Sequence, residues 1–160
     1  MRDVAVRDVV RDVVAEVAPQ ELPLVDGLAG YDHETVVRRL SRAGARREPL
    51  GFGWGEIIGL VTPVLWLVLD QVAQRFADAA VDRTTSGVRG VLGRLRRGRR
   101  PPATIPELTE DERAELRRDV LDLFLRRGLD AETAAPLADA VLRRLAPGFA
   151  ADRGASNPAE

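Results

Sequence analysis

The sequence predicts an all-α protein, and three observations support this fold class. Apolar residues recur at intervals of three and four along most of the 160-residue chain, which is the spacing of one helix face. Proline and glycine clusters separate these stretches, and capping residues precede several of them. Aromatic residues make up only 4% of the chain, so aliphatic side chains must fill the core. We expect five or six helices, with N-terminal amphipathic helices packed on a long, kinked central helix and a C-terminal helical hairpin beyond it.

The N-terminal stretch predicts an amphipathic helix with a valine face. Valines recur at helical spacing between Val6 and Val17, and charged residues occupy the outer positions. Valine is a modest helix former, so this helix should depend on packing against a partner. The stretch contains no apolar core of a secretory signal. We therefore expect a cytoplasmic location. A more specific expectation is that the protein associates with a membrane there.

A second helix is predicted after a proline-bounded turn. Pro19 and Pro23 bracket a short turn or helical piece. Asp32 should then cap a helix that begins at His33 and runs to about residue 43. His33 is the only histidine of the chain, and we interpret it as the first residue of this helix rather than as a metal ligand or a base.

The central helix contains a run of thirteen uncharged residues from Ile57 to Leu69. A run of this length favours a buried core helix, since a membrane span needs about 20 apolar residues. Two alternatives remain: insertion into a membrane, if the run extends back to Gly51, and a homo-oligomer interface. Pro63 predicts a kink or a fresh helix start. The residues expected to form this core or membrane segment are Trp54, Ile57, Ile58, Leu60, Val61, Leu65, Trp66 and Leu69.

A basic segment, residues 83–100, follows the central helix. Residues 83–106 hold seven arginines and no acid, whereas the flanking parts of the chain are acidic. The segment is interpreted as a solvated linker that meets the acidic flanks, as a helix on anionic lipid, or as a nucleic-acid contact. The predicted basic patch consists of Arg89, Arg94, Arg96, Arg97, Arg99 and Arg100.

The C-terminal third predicts a helical hairpin behind a proline-rich linker. Thr109 and Glu112 form the pattern of a capping box, and Asp130 should start the partner helix. Leu121, Leu125 and Leu142 are expected to form an apolar docking face. The predicted organisation is a helical bundle at 1–98, a linker at 99–108, the hairpin at 109–146 and a disordered tail at 147–160.

The sequence contains no pattern that predicts catalysis. It has no cysteine, no lysine and no glycine-rich phosphate loop, and its one histidine has no second cluster of metal ligands nearby. We therefore expect no enzyme activity, cofactor, metal or small-molecule substrate. The expected function is that of a non-catalytic interaction or adaptor protein. A more specific expectation is that the protein acts at a membrane surface. Among partners, we expect self-association or another protein first, an anionic membrane second and nucleic acid third. The alternative functions are those of a membrane-inserting or pore-related protein and of a nucleic-acid-binding protein.

Overall fold

The computed structural model describes residues 4–45, 61–84, 103–106 and 108–146. These residues are predominantly helical, which confirms the predicted all-α fold. In chain order the elements are β1 (Val4–Ala5), α1 (Val6–Val17), a 3-10 turn (Pro19–Glu21), α2 (Leu22–Ala29), α3 (His33–Ala45), α4 (Val61–Thr84), β2 (Thr104–Ile105), α5 (Glu110–Arg126) and α6 (Ala131–Arg144).

Helix α1 lies at the centre of the core. Its valines at the predicted spacing are buried, including Val6, Val10 and Val13, each with no exposed surface. The helix contacts α2, α4 and α6, so neighbours surround its apolar face. This packing compensates for the modest helix propensity of valine.

Side-chain caps fix the beginnings of three helices. Asp32 accepts a hydrogen bond from the backbone N–H of Thr35 at 2.9 Å, and Asp130 accepts one from Thr133 at 2.9 Å. At the start of α5, Thr109 and Glu112 form the reciprocal capping box, so this prediction is confirmed. These caps satisfy backbone donors that have no partner within their own helix.

Helix α4 begins at Val61, so Pro63 is its third residue. Proline is tolerated in the first turn because the N–H groups there have no acceptor within the helix. Of the two outcomes predicted for Pro63, the described helix therefore has the fresh start rather than an internal kink. The predicted part of the central helix before residue 61 and after residue 84 lies outside the described residues.

A two-stranded antiparallel sheet joins the start of the chain to residues 104–105. Val4 pairs with Ile105 and Ala5 with Thr104, and the N–H of Val6 donates to the carbonyl of Ala103 at 2.9 Å. Ile105 is fully buried. This sheet could not be predicted from the sequence. Strands of two residues are too short to show an alternation of apolar and polar side chains, and the two strands are far apart along the chain. Within residues 103–106, the predicted linker is thus packed on the rest of the molecule.

The C-terminal hairpin packs into the same core as the N-terminal helices. Helix α5 contacts α6 and α4, and α6 also contacts α1. The buried side chains of the hairpin, among them Phe124, Leu137 and Val141, belong to one cluster with the α1 valines. Two helices of this length bury too little surface to form a core alone, which explains why the hairpin shares one.

Candidate functional site

The apolar start of α4 lies in the core. Of the predicted core or membrane residues, Leu65, Trp66 and Leu69 have no exposed surface and Val61 has 8%. Trp54, Ile57, Ile58 and Leu60 lie outside the described residues. Among the helices that the structure describes, none combines the length and apolar content that a membrane crossing needs.

Glu21 caps the start of α4 from another element. Its Oε1 accepts the backbone N–H of Val61 at 3.0 Å, and its Oε2 accepts that of Thr62 at 2.8 Å. The residue is only 5% exposed. A carboxylate is favoured here because the N-terminus of a helix carries partial positive charge and unpaired donors. This contact places the start of α4 at the end of α1, and since the two helices pack together, α4 runs antiparallel to α1.

A polar cluster connects α3 to α4, and it consists of His33, Trp66, Asp70 and Gln74. Trp66, Asp70 and Gln74 are four residues apart on one face of α4, and the cap at Asp32 sets His33 as the first residue of α3. His33 Nε2 lies 2.7 Å from Asp70 Oδ1. Gln74 donates to Asp70 Oδ2 at 2.6 Å. The side chains of His33 and Asp70 are 22% and 12% exposed.

The contacts of His33 occupy both of its ring nitrogens. The Trp66 indole donates to His33 Nδ1 at 3.4 Å, and the two rings are stacked with centroids 6.3 Å apart. Since an indole N–H can only donate, Nδ1 is the acceptor, and the proton of the neutral imidazole lies on Nε2, facing Asp70. A histidine that acts as a general base needs one nitrogen for the substrate. In this arrangement the cluster fastens α3 to α4, and both ring nitrogens have a partner within the protein.

The His33 cluster lacks the composition of a metal centre. Among the described residues, no group of three or more His, Asp or Glu side chains is close enough to hold a metal ion. The contact of His33 with Asp70 could not be predicted from the sequence, because 37 residues separate the two. The only signal was the spacing of Trp66, Asp70 and Gln74, which predicts a polar face on α4 but does not name its partner.

Most arginines on the other described helices form ion pairs with carboxylates. Arg11 pairs with Asp26, Arg75 with Asp119, Arg117 with Asp139, Arg126 with Asp122, and both Arg143 and Arg144 with Glu16. These pairs are largely exposed, so each contributes little to stability. Their main effect is local neutralisation of the surface on α1, α4, α5 and α6.

The exposed side of α3 differs in charge. Arg38, Arg39 and Arg42 are exposed, and none of them forms an ion pair with a carboxylate in the part of the chain that the structure describes. Arg38 donates to the hydroxyl of Thr35 at 3.2 Å, and the guanidinium of Arg39 lies 4.0 Å from the centre of the Tyr31 ring. Tyr31 is 41% exposed. We call Tyr31, Arg38, Arg39 and Arg42 the α3 basic face.

The three residues of the predicted docking face differ in burial. Leu125 is 43% exposed, Leu121 is half-buried against the core, and Leu142 is only 8% exposed. Leu142 lies in the shared core because α6 packs against α1 as well as α5. The exposed apolar surface at this position is therefore smaller than the sequence analysis expected, and Leu125 is its main contributor.

All six arginines of the predicted basic patch lie outside the described residues, but the segment's two attachment points are described. The buried and half-buried positions of helix α4 lie between residues 61 and 76, and residues 77–80 are all exposed. The chain returns at Ala103, whose carbonyl is hydrogen-bonded to Val6. The basic segment is thus attached to the folded body at both ends.

The fold and the cluster define a small all-α protein with one shared core, a polar contact between α3 and α4, and a basic face on α3. No protein-family model, curated protein or solved structure matches this chain. Functional inference therefore depends on the residues themselves.

Proposed function

We propose that this chain is a non-catalytic interaction protein, in which a closed helical core presents the basic segment to an anionic partner. More specifically, we propose that this partner is the surface of an anionic membrane. One observation carries it: residues 77–80 of α4 are all exposed, and the chain continues from α4 into residues 83–106, which hold seven arginines and no acid.

The polar groups of the core support a binding role rather than catalysis. His33 has both ring nitrogens engaged, and the buried carboxylate of Glu21 is used by two backbone N–H groups. These are structural uses of the residue types that enzymes employ for proton transfer. Function is accordingly assigned to the charged surface.

Lipid is favoured over nucleic acid by the composition of the segment. Val88, Val91, Leu92 and Leu95 are interspersed with its arginines, and a surface helix on lipid combines these two residue types. No aromatic residue occurs between Arg83 and Arg100, although single-stranded nucleic acid is usually bound by stacking on aromatic side chains.

The test compares binding of the full chain to phosphatidylcholine vesicles with and without phosphatidylserine, at low and high salt. Arg94→Gln, Arg96→Gln and Arg97→Gln together should weaken binding to the anionic vesicles, because each arginine near such a surface contributes about fivefold in affinity. The matched control replaces Arg118 and Arg126 of α5 and Arg127, which follows the helix, by Gln, and this removes the same charge from exposed positions. Equal loss in both triple variants would show non-specific attraction and contradict the proposal.

A second pair of substitutions separates lipid from nucleic acid. Leu92→Ser with Leu95→Ser should abolish vesicle binding and leave binding to duplex DNA nearly unchanged, because phosphate contacts do not need the leucines. One outcome is that the arginine triple variant and the leucine double variant both bind vesicles as the wild type does, while only the arginine triple variant loses binding to DNA. In that case the partner is nucleic acid.

An adaptor also needs a protein contact, and Leu125 is the described residue that favours one. It is one of two large apolar side chains that are exposed in the described part of the chain. We propose that it contributes to self-association. Leu125→Ser should lower the weight-average mass in sedimentation equilibrium, whereas Arg118→Gln should not. A wild-type chain that remains a monomer at high concentration excludes this contact.

A further inference from the structure

The α3 basic face has features that the packing of the molecule does not require. Helix α3 buries Val36 and Leu40 and packs on α4, while the α3 basic face lies on its opposite side. Arg42 follows Arg38 by four residues and Arg39 by three, so its side chain lies next to both on the helix surface. Hydrogen bonds from Thr35 and the nearby charge of Arg38 lower the pKa of Asp32, so Arg38 has a carboxylate close to it. Arg39 and Arg42 form no ion pair with a described carboxylate, and this excess of positive charge favours an external anion.

Tyr31 is held next to these arginines. Its carbonyl accepts a hydrogen bond from Arg7 at 2.6 Å, and Arg39 covers one side of its ring at 4.0 Å. The ring is nevertheless 41% exposed. A tyrosine with an apolar ring and a polar hydroxyl is suited to the boundary between water and lipid, where its two ends meet different surroundings.

We propose that the α3 basic face is a second contact with an anionic lipid surface, independent of the basic segment. The guanidinium groups bind lipid phosphates and carboxylates, and Tyr31 enters the headgroup layer beside them. This inference rests on the proposed function, and it adds a contact formed entirely by described residues.

Lipid is favoured over the other anionic macromolecules by the geometry of Tyr31. The guanidinium of Arg39 covers one side of the Tyr31 ring, which leaves only the other side for stacking on a nucleic-acid base. The face lies on the outer side of a helix whose packing contact is with α4. An outward-facing helix side is suited to an extended planar partner such as a membrane.

The experiment measures co-sedimentation of the full chain with phosphatidylcholine vesicles that contain phosphatidylserine. Arg38→Gln, Arg39→Gln and Arg42→Gln together should weaken binding by at least about tenfold, from about fivefold for each arginine that contacts the surface. The charge-matched control, with Gln at positions 118, 126 and 127, should change binding less than about twofold. Tyr31→Ser should lower affinity without any change of net charge.

Folding is checked by far-ultraviolet circular dichroism, which should be unchanged because the substituted side chains are all exposed. If the α3 triple variant binds vesicles as the control does while the triple variant at positions 94, 96 and 97 loses binding, the inference is wrong and the proposed function stands. If the α3 triple variant alone loses binding, the inference stands and the role of the basic segment is wrong. If wild-type chain binds duplex DNA but no vesicle, and the α3 triple variant weakens that binding, the lipid assignment of this face is overturned.

Discussion

Glu16 joins the C-terminal ends of α1 and α6 through two arginines. Its carboxylate contacts Arg143 and lies 2.7 Å from Arg144, and the hydrogen bond from Arg144 is the main reason why the pKa of Glu16 is lowered from its ordinary value of 4.5. A carboxyl group with a lowered pKa in the folded state adds stability above its unfolded pKa, and this contribution is lost as the pH falls through the folded value.

Glu16→Gln should therefore reduce the free energy of unfolding at neutral pH by up to about 1 kcal/mol, since the pair is partly exposed. The difference from the wild type should shrink as the pH falls below 4.5. Urea unfolding at both pH values measures it, with Glu115→Gln, an exposed acid outside any described ion pair, as the control. An unchanged difference at low pH contradicts the role assigned to the two arginines.

The His33 cluster gives a second prediction at this scale. His33→Ala should lower the free energy of unfolding by about 1–3 kcal/mol, because Asp70 is buried and would keep only Gln74 as its described partner. His33→Gln, which retains a donor, should cost less. Glu34→Ala, at the exposed neighbouring position, serves as the control, and chemical denaturation followed by circular dichroism gives the values. If His33→Ala is as stable as the control, the cluster does not fasten α3.

At the scale of elements, the cap formed by Glu21 determines where α4 begins. Glu21→Ala removes the acceptor of two N–H groups in a buried site, and we expect a loss of about 1–3 kcal/mol in unfolding free energy. Glu21→Gln keeps one carbonyl acceptor and should be intermediate. The exposed neighbour Gln20 changed to Ala controls for local effects.

Amide hydrogen exchange locates the effect of the Glu21 substitutions. The amides of Val61 and Thr62 donate to Glu21 in the wild type, so they should exchange faster in Glu21→Ala. Exchange that accelerates equally throughout α4 would mean that the residue acts through general packing and not as a cap.

The elements differ in how far their sequences could predict them. The valine face of α1 and the capping box of α5 are local patterns, and the structure confirms both. The cap from Glu21 to Val61 joins residues 40 positions apart, and the pairing of Val4 with Ile105 joins two strands of two residues each. Periodicity describes only neighbours along the chain, so these contacts could not be predicted from it. The α3 basic face is partly readable from local spacing, because Arg38, Arg39 and Arg42 do not share the spacing of the buried Val36 and Leu40, but no spacing places them next to Tyr31.

At the scale of the whole molecule, the shared core predicts the effect of truncation. Removing residues 107–160 takes away α5 and α6 and exposes the buried side of α1, which contacts α6. We expect the remaining chain to aggregate, as measured by light scattering, and to lose a cooperative unfolding transition. Removing only residues 147–160 is the control and should leave the core intact. A truncated chain that stays monomeric and folded would mean that the hairpin is a separate unit.

The central position of α1 has a consequence for synthesis. A ribosome makes the N-terminus first, but Ile105, which pairs with Val4, and Arg143, which contacts Glu16, are each made about 100 or more residues after their partners. Throughout most of translation the valines of α1 lack their final partners, and tertiary structure can form only when α6 has left the exit tunnel. Nascent chains stalled before α6 should therefore be cut readily by protease within α1, whereas released chains should resist.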